Sequence, residues 1–324
     1  MAERALVTGG AGFVGLHLVR RLLADGVEVT LLDDFSRGRP DRDFRELAAH
    51  VATVEHDLTT PIPPGLLPGP YDEVYHLAAV VGVHQSIQRP AHVLATNLLS
   101  TIHLVDWCAR AEPGALFLSS TSEVADGAAA AGLAEHPTRE DVPFVIADLG
   151  SARSSYALSK AVAESMFRRL HGPSRVRIGR YHNVYGPRMG RRHVIPELIG
   201  RILEGRDPFP LYGAYQTRAF CYVTDAVDAT VRLTRLDHDE PLVANIGDDS
   251  EEIRIDALAQ RLFRIAGVSP RLEVHDPPAG SPSRRLPDLG ALRGLLGPLP
   301  ATPLDEGLRR TVEWYTAHGA AGHE

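Results

Sequence analysis

The stretch Thr8-Gly9-Gly10-Ala11-Gly12-Phe13-Val14-Gly15 constrains this chain more tightly than any other. It follows an apolar run, Ala5-Leu6-Val7, and opens an apolar-periodic segment that ends at Ala24. Gly9 permits a tight turn. Gly12, with Phe13 and Val14 behind it, lets backbone N–H groups approach a pyrophosphate, and Gly15 lets helix and strand pack closely. Glycines alone are a weak sign, since many loops contain them. A strand before and a helix after make this pattern specific.

The alternation of short apolar strands with amphipathic helices runs on for about 180 residues, the pattern of a parallel sheet covered on both faces. Strands are predicted at 28–32, 51–55, 73–77, 115–119 and 176–180, and helices at 91–110 and 153–171. Past Arg180, Pro187, Pro196, Pro208 and Pro210 punctuate shorter elements. A helix at 224–236 and a strand at 242–245 read as a return to the first sheet. The remainder reads as helical, with joints such as Asp276-Pro277-Pro278. The long Ala-, Gly- and charge-rich connection 126–150 reads as a lid or partner loop. The expected architecture is α/β, a Rossmann-like doubly wound parallel sheet with a smaller, discontinuous α/β domain for substrate. Residues 1–181 and 217–246 form the first domain, and 182–216 with 247–324 the second.

Composition excludes several classes. With 44% apolar residues the chain can build a substantial core, and a net charge of −7 without a long basic run argues against a nucleic-acid binder. Cys108 and Cys221 are far apart and lack metal-ligand spacing, so neither a disulfide framework nor a metal site is expected, and a reducing cytoplasm fits. No apolar run is long enough to span a bilayer, and a strand at the very N-terminus reads against a signal peptide.

Asp33 closes the second strand about 20 residues beyond the glycine turn. A carboxylate there accepts hydrogen bonds from a ribose diol and repels a 2′-phosphate, so NAD is expected rather than NADP, although Arg37 and Arg39 follow closely. Asp34 and Arg37 belong to the same stretch. Asp57, next to Leu58, is placed to take an adenine amino group, or else simply caps the third strand.

Among 34 basic residues there is a single lysine, Lys160, in Tyr156-Ala157-Leu158-Ser159-Lys160. Arginine replaces lysine at most surface positions, but not where a compact ammonium must sit beside a phenol. Four residues apart on a helix, Tyr156 and Lys160 share a face. A free phenol has a pKa of roughly 10; lowering it by about 3 units, to serve as a base at neutral pH, requires about 4 kcal/mol of differential stabilisation. Lys160 and a positively charged nicotinamide ring are the candidate sources.

Together with Tyr75-His76-Leu77-Ala78-Ala79, Asn97, residues 119–124, Asn183-Val184-Tyr185-Gly186-Pro187 and Asn245-Ile246-Gly247, these motifs resemble the extended short-chain dehydrogenase/reductase superfamily, in its sugar-nucleotide epimerase and dehydratase branch. The resemblance covers nearly the whole chain. It implies a bound NAD walled in part by Leu58, Leu77, Ala78 and Ala79, a nucleoside-diphosphate sugar substrate, oxidation at sugar C4 by Tyr156 with Lys160, and a homodimer packed through the helices at 91–110 and 153–171. Asn97 resembles the structural asparagine of that branch.

Thr121-Ser122-Glu123 separates the subfamilies. Sugar 4,6-dehydratases carry an aspartic acid in the middle position, and Ser122 cannot act as that acid. Thr-Ser-Glu resembles the UDP-glucuronate decarboxylases, as do the stretches Gln216-Thr217-Arg218 and Arg284-Arg285-Leu286-Pro287-Asp288. In that resemblance Thr121, Ser122 and Glu123 join the catalytic group, Arg218 and Arg285 address the diphosphate, and Asn183 and Arg188 lie near sugar and phosphates. Three departures stand out: Ala125-Asp126 where the decarboxylases have Tyr-Gly, an epimerase-like loop at 80–86, and a shortened turn at 213–215. The expectation is decarboxylation of UDP-glucuronate to UDP-xylose or the 4-keto pentose. A UDP-hexuronate or UDP-hexose 4-epimerase is the alternative, and a non-catalytic dinucleotide sensor is a third reading that the intact Tyr156–Lys160 pair opposes.

Overall fold

The computed structural model describes residues 3–37, 41–146, 148–170, 172 and 174–318. Arg39 and His171, on which two of the expectations above touch, lie outside the described residues. In chain order the strands are β1 (Arg4–Thr8), β2 (Glu28–Asp33), β3 (Ala52–Glu55), β4 (Glu73–His76), β5 (Ala115–Thr121), β6 (Arg175–Tyr181), β7 (Val184–Tyr185), β8 (Phe209–Tyr212), β9 (Thr217–Ala219), β10 (Cys221–Tyr222), β11 (Leu242–Ile246), β12 (Glu252–Arg254), β13 (Leu272–His275) and β14 (Arg284–Arg285). The helices that matter below are α1 (Phe13–Ala24), α2 (Arg42–Ala48), α3 (Val83–Gln88), α4 (Pro90–Ala111), α5 (Asp126–Ala130), α6 (Ser154–Arg168), α7 (Val194–Leu203) and α8 (Val223–Thr234).

Among the described residues seven parallel strands form one sheet in the order β11-β6-β5-β4-β1-β2-β3. The order reverses between β1 and β4, where a doubly wound sheet opens a crevice at its strand ends. Leu6, Val7, Val74, Leu116 and Phe117 are buried although they alternate between faces, because helices cover both sides. Leu16, Val19 and Leu22 of α1 pack with α8 residues on one face, and Leu104 of α4 with Phe167 of α6 on the other. Each such side chain contributes roughly 1.5–3 kcal/mol through burial.

The second part is α/β, as expected, although the stretch past 246, which reads as helical, also contributes the strands β12, β13 and β14. Short strands recur: β9 pairs with β12 and β14, and β8 with β13. These runs are only two to four residues long, too short for a period-two pattern to register. The chain also rejoins the large sheet later than position 217: β9 belongs to the small three-stranded sheet, and only α8 packs back against α1. A separate core built from Leu198, Phe209, Leu211, Leu258, Phe263 and Leu308 holds this part.

The connection at 126–150 is tied down at its middle. Thr138 donates its amide to the Leu286 carbonyl and accepts from the Asp288 amide, while the Glu140 carboxylate accepts from the Asn245 amide. The segment bridges the two parts of the chain at these points.

Candidate active site

The glycine turn is shaped by contacts that exclude side chains. Gly9 has φ +70°, and a Cβ there would sit 2.6 Å from the Ala78 amide nitrogen. Gly15 meets the turn so closely that a Cβ would lie 2.2 Å from the Gly9 carbonyl oxygen. Helix α1 starts without a side-chain cap: Gly12 occupies the cap position, leaving first-turn N–H groups to be satisfied from the cleft. Gly12, Phe13, Val14, Asp33, Asp34, Arg37, Asp57, Leu58, Leu77, Ala78 and Ala79 all line one cleft with Thr121, Tyr156 and Lys160. An uncapped helix start facing a cleft fits a pyrophosphate.

Asp33 is buried, and burial raises its carboxyl above the usual range despite bonds from the Ala11 and Phe35 amides, both 2.9 Å. Each oxygen keeps a lone pair for a ribose diol. Asp34 instead turns on itself, accepting from the Ser36 amide and hydroxyl. Asp57 accepts from the Thr59 amide, which holds its carboxyl low. Arg37 donates its guanidinium to the Val81 carbonyl at 2.9 Å, and burial, with the Arg37 charge second, lowers the nearby His193. These positions fit NAD and leave no basic group of Arg37 at the ribose diol.

Arg188 was expected near the sugar and phosphates. Its guanidinium holds the glycine turn, donating to the carbonyls of Ala11 (2.7 Å) and Gly12 (3.0 Å), and pairs with Asp41 at 2.7 Å, while Nη2 is left without a partner among the described residues, in a side chain that lines the cleft. It lies at φ +70° and is almost wholly buried. An arginine after Gly-Pro is equally able to bind phosphate or backbone oxygen, so spacing did not distinguish the two.

The chemical group is assembled where β5 ends. Thr121 closes the strand, a 3₁₀ turn (Ser122–Ala125) follows, and the Glu123 amide donates to the Thr121 hydroxyl at 3.3 Å. Ser122 is buried at the start of this turn. Helix α6 sets Tyr156 and Lys160 against it. Burial pushes the Tyr156 phenol well above its ordinary 10, the Glu123 charge adds to this, and a hydrogen bond with Thr121 and the charges of Arg37 and Arg285 oppose it. The Lys160 ammonium donates to the Ser119 carbonyl at 2.7 Å. Burial pushes it down from 10.5 to about 8, and Glu164 works in the opposite direction.

Glu164, one turn beyond Lys160 on the same helix, escaped the sequence reading. It accepts from Ser120 at 2.5 Å and from both Nε and Nη2 of Arg180 at 2.9 Å. The i, i+4 spacing from Lys160 was the available signal. His76, stacked on Phe167, is kept neutral by burial and the Lys160 charge, with its pKa down at about 3. Asn97 binds the Val80 amide and carbonyl and the Ser159 hydroxyl, fixing the loop after β4 to the catalytic helix.

A second group adjoins Tyr156. Strands β9 and β14 put Arg218 directly opposite Arg285. Arg218 spends its guanidinium on the carbonyls of Thr217, Pro282 and Ser283; burial and the Arg285 charge bring it down to about 10. Arg285 pairs with Asp126 at 2.5 Å. Burial raises the Glu123 carboxyl, and Arg285 opposes this. Asn183, at φ +41°, donates to the Ala219 carbonyl and thus braces β9. Arg153, three residues before Tyr156, also acts on Glu123 and Arg218 and was not singled out from sequence.

Residues 5–247 match the NAD dependent epimerase/dehydratase family. The chain is 33% identical over 322 residues to UDP-glucuronic acid decarboxylase 1 of Xenopus tropicalis, covering 97% of this chain and 72% of that one. It is 31% identical over 331 residues to UDP-N-acetyl-alpha-D-glucosaminuronate decarboxylase of Bacillus cytotoxicus, covering 97% and 98%. Among solved structures, UDP-glucuronic acid 4-epimerase from Bacillus cereus, in complex with UDP-glucuronic acid and NAD, superposes with a TM-score of 0.84 at 26% identity, over 98% of this chain and 100% of that one.

Proposed function

The chain belongs to the NAD-dependent epimerase/dehydratase family, and from that premise we propose that it decarboxylates UDP-glucuronate by transient oxidation at C4, giving UDP-xylose, the 4-keto pentose or both. The observation that carries this reading is the convergence of Glu123 and Arg285 on Tyr156 at the end of β5. The glycine turn, Asp33 and Asp57 hold NAD, which when bound supplies a hydride acceptor for C4 and returns the hydride.

Tyr156 takes the C4 hydroxyl proton, with Lys160 stabilising the phenolate and Thr121 orienting both hydroxyls. A ketone at C4 turns the C5 carboxylate into a β-keto acid, whose C–C electrons flow into the carbonyl as carbon dioxide leaves. Glu123, its carboxyl raised by burial, can hold the proton that C5 then needs. Ser122 supplies no acid for a dehydration. Arg218 and Arg285 take the substrate diphosphate, while Arg188 acts on the cofactor loop. Asn183 contributes by bracing β9.

The same reading divides the chain into an NAD-binding part, 1–181 with most of 217–246, and a sugar-nucleotide part built on the small sheets. It also includes a homodimer formed through α4 and α6. Leu99 (39% exposed) and Ile102 (37%) on α4 support that face. Free, buried Cys108 and Cys221 support a reducing cytoplasm, and no helix of the described residues is long and apolar enough to cross a membrane.

The 4-epimerase reading retains one specific support: the 80–86 loop is epimerase-like in sequence, and its Val80 and Val81 line the cleft that holds Tyr156. Incubation with UDP-glucuronate, with and without added NAD, followed by proton NMR, separates the two. Carbon dioxide release with a pentose product supports the decarboxylase. A hexuronate inverted at C4 replaces it with the epimerase, and an unchanged substrate refutes the decarboxylase and the hexuronate epimerase and leaves the UDP-hexose epimerase to be tested with UDP-glucose.

A further inference from the structure

Arg153 sits at the N-terminal boundary of α6, three residues before Tyr156. A cation at that end of a helix opposes the helix dipole, so local stability does not account for it. Its side chain leaves the helix and crosses to the turn at 277–281. There Nη1 donates to the Ala279 carbonyl at 3.1 Å. The stem lies flush on Gly280: a Cβ at that residue would come within 3.1 Å of Arg153 Cδ. The same segment is gripped by Arg218, through the carbonyls of Pro282 and Ser283, and carries Arg285 in β14.

Three guanidiniums therefore gather along one short segment. Their charges act on one another: Arg285 and Arg153 both depress Arg218, while Asp126 supports it. The carboxylates among them are Asp126, already paired with Arg285, and Glu123. Three cations against two carboxylates leave a positive excess even when both acids are ionised. Arg218 spends both Nη groups on carbonyl and amide oxygens and keeps its Nε–H, while Arg153 commits only one Nη1 hydrogen to the Ala279 carbonyl, so Arg153 is the better provided with donors for an anion.

We propose that Arg153 is a substrate-binding residue, the third guanidinium of a subsite for the diphosphate of a nucleoside diphosphate sugar, and that it ties that diphosphate to the start of the catalytic helix. The proposal rests on the reading of the substrate as a nucleoside-diphosphate sugar. A diphosphate carries the charge that balances the excess, and forked donors suit its oxygens. Binding at Arg153 also loads the turn that leads directly into Tyr156, so the far end of the substrate positions the base.

The test is calorimetric titration of the NAD-loaded protein and its Arg153→Gln variant with UDP, UDP-glucose and UDP-glucuronate. The variant should fold about as well, because removing a cation from the helix start offsets the lost bond to the Ala279 carbonyl, and should keep its NAD. All three ligands should weaken together by about tenfold or more, the loss expected for a charge-assisted contact. Arg153→Lys should recover part of the affinity. Unchanged affinity for all three overturns the proposal. So does a loss confined to UDP-glucuronate, which would assign Arg153 to the carboxylate. Failure of the wild-type protein to bind UDP or either sugar nucleotide would instead sink the nucleotide-sugar reading itself, and the proposal with it.

Discussion

Lys160 is a buried cation that donates to a neutral carbonyl, that of Ser119, and this has a measurable cost. Burial lowers its pKa from 10.5 to about 8. At 1.36 kcal/mol per pKa unit, the folded protein disfavours the charged form by about 3 kcal/mol relative to the unfolded chain. Below pH 8 the lysine is protonated in both states, and the full cost is present. Between pH 8 and 10.5 the unfolded chain still holds the proton that the folded protein has released, so stability gains with rising pH. Above 10.5 neither state is charged and the cost is gone.

Replacing Lys160 with methionine removes the charge, keeps the length of the side chain, and forfeits the bond to the Ser119 carbonyl, worth about 1 kcal/mol. In the NAD-free protein, Lys160→Met should therefore be more stable than wild type by about 2 kcal/mol at pH 7. The advantage should vanish at about pH 9.8 and reverse slightly beyond it. Urea unfolding of both proteins across pH 7 to 10 measures the difference. Tyrosines and cysteines titrating in that range affect both proteins and cancel. A pH-independent difference, or a variant already less stable at pH 7, would refute the account of Lys160 as a charge retained at the expense of stability. The same variant should lose C4 oxidation, the reason such a charge is kept.

Tyr156→Phe should abolish reduction of bound NAD by UDP-glucuronate while leaving NAD content unchanged; appreciable single-turnover absorbance at the reduced-nicotinamide band would contradict the assigned base. Gly15→Ala forces a Cβ to 2.2 Å from the Gly9 oxygen, so turn and helix must separate by about 0.8 Å to restore 3.0 Å. That should cost about 1–3 kcal/mol and strip NAD from the purified protein, with retained stability and cofactor counting against the packing role of Gly15. Arg188→Met leaves the Ala11 and Gly12 carbonyls without their guanidinium. NAD affinity should fall more than UDP affinity, and the reverse order in paired titrations would return Arg188 to the substrate.

Much of the cofactor half was legible in the chain because its information is local. A glycine turn between a strand and a helix has few conformations, and the period of apolar residues distinguishes strand from helix in β1, α1, α4 and α6. The Tyr156–Lys160 spacing places both on one helical face before any tertiary contact exists. The single lysine of the chain marked that face.

Other features depend on chain segments meeting across long separations. The short strands β9, β12 and β14 have no period of their own and form only because they pair. Arg188 and Arg218 look alike in sequence, yet one closes on the glycine turn 177 residues away and the other on the carbonyls of 282 and 283. Glu123 acquires its raised pKa from burial, and Arg153 its place among the cations from the turn at 277–281; neither environment exists along the chain. Sequence determined which groups are available and which local segments carry them. Tertiary structure decided their partners and their charge states, because burial and Coulomb interaction depend on distance in space rather than on separation along the chain.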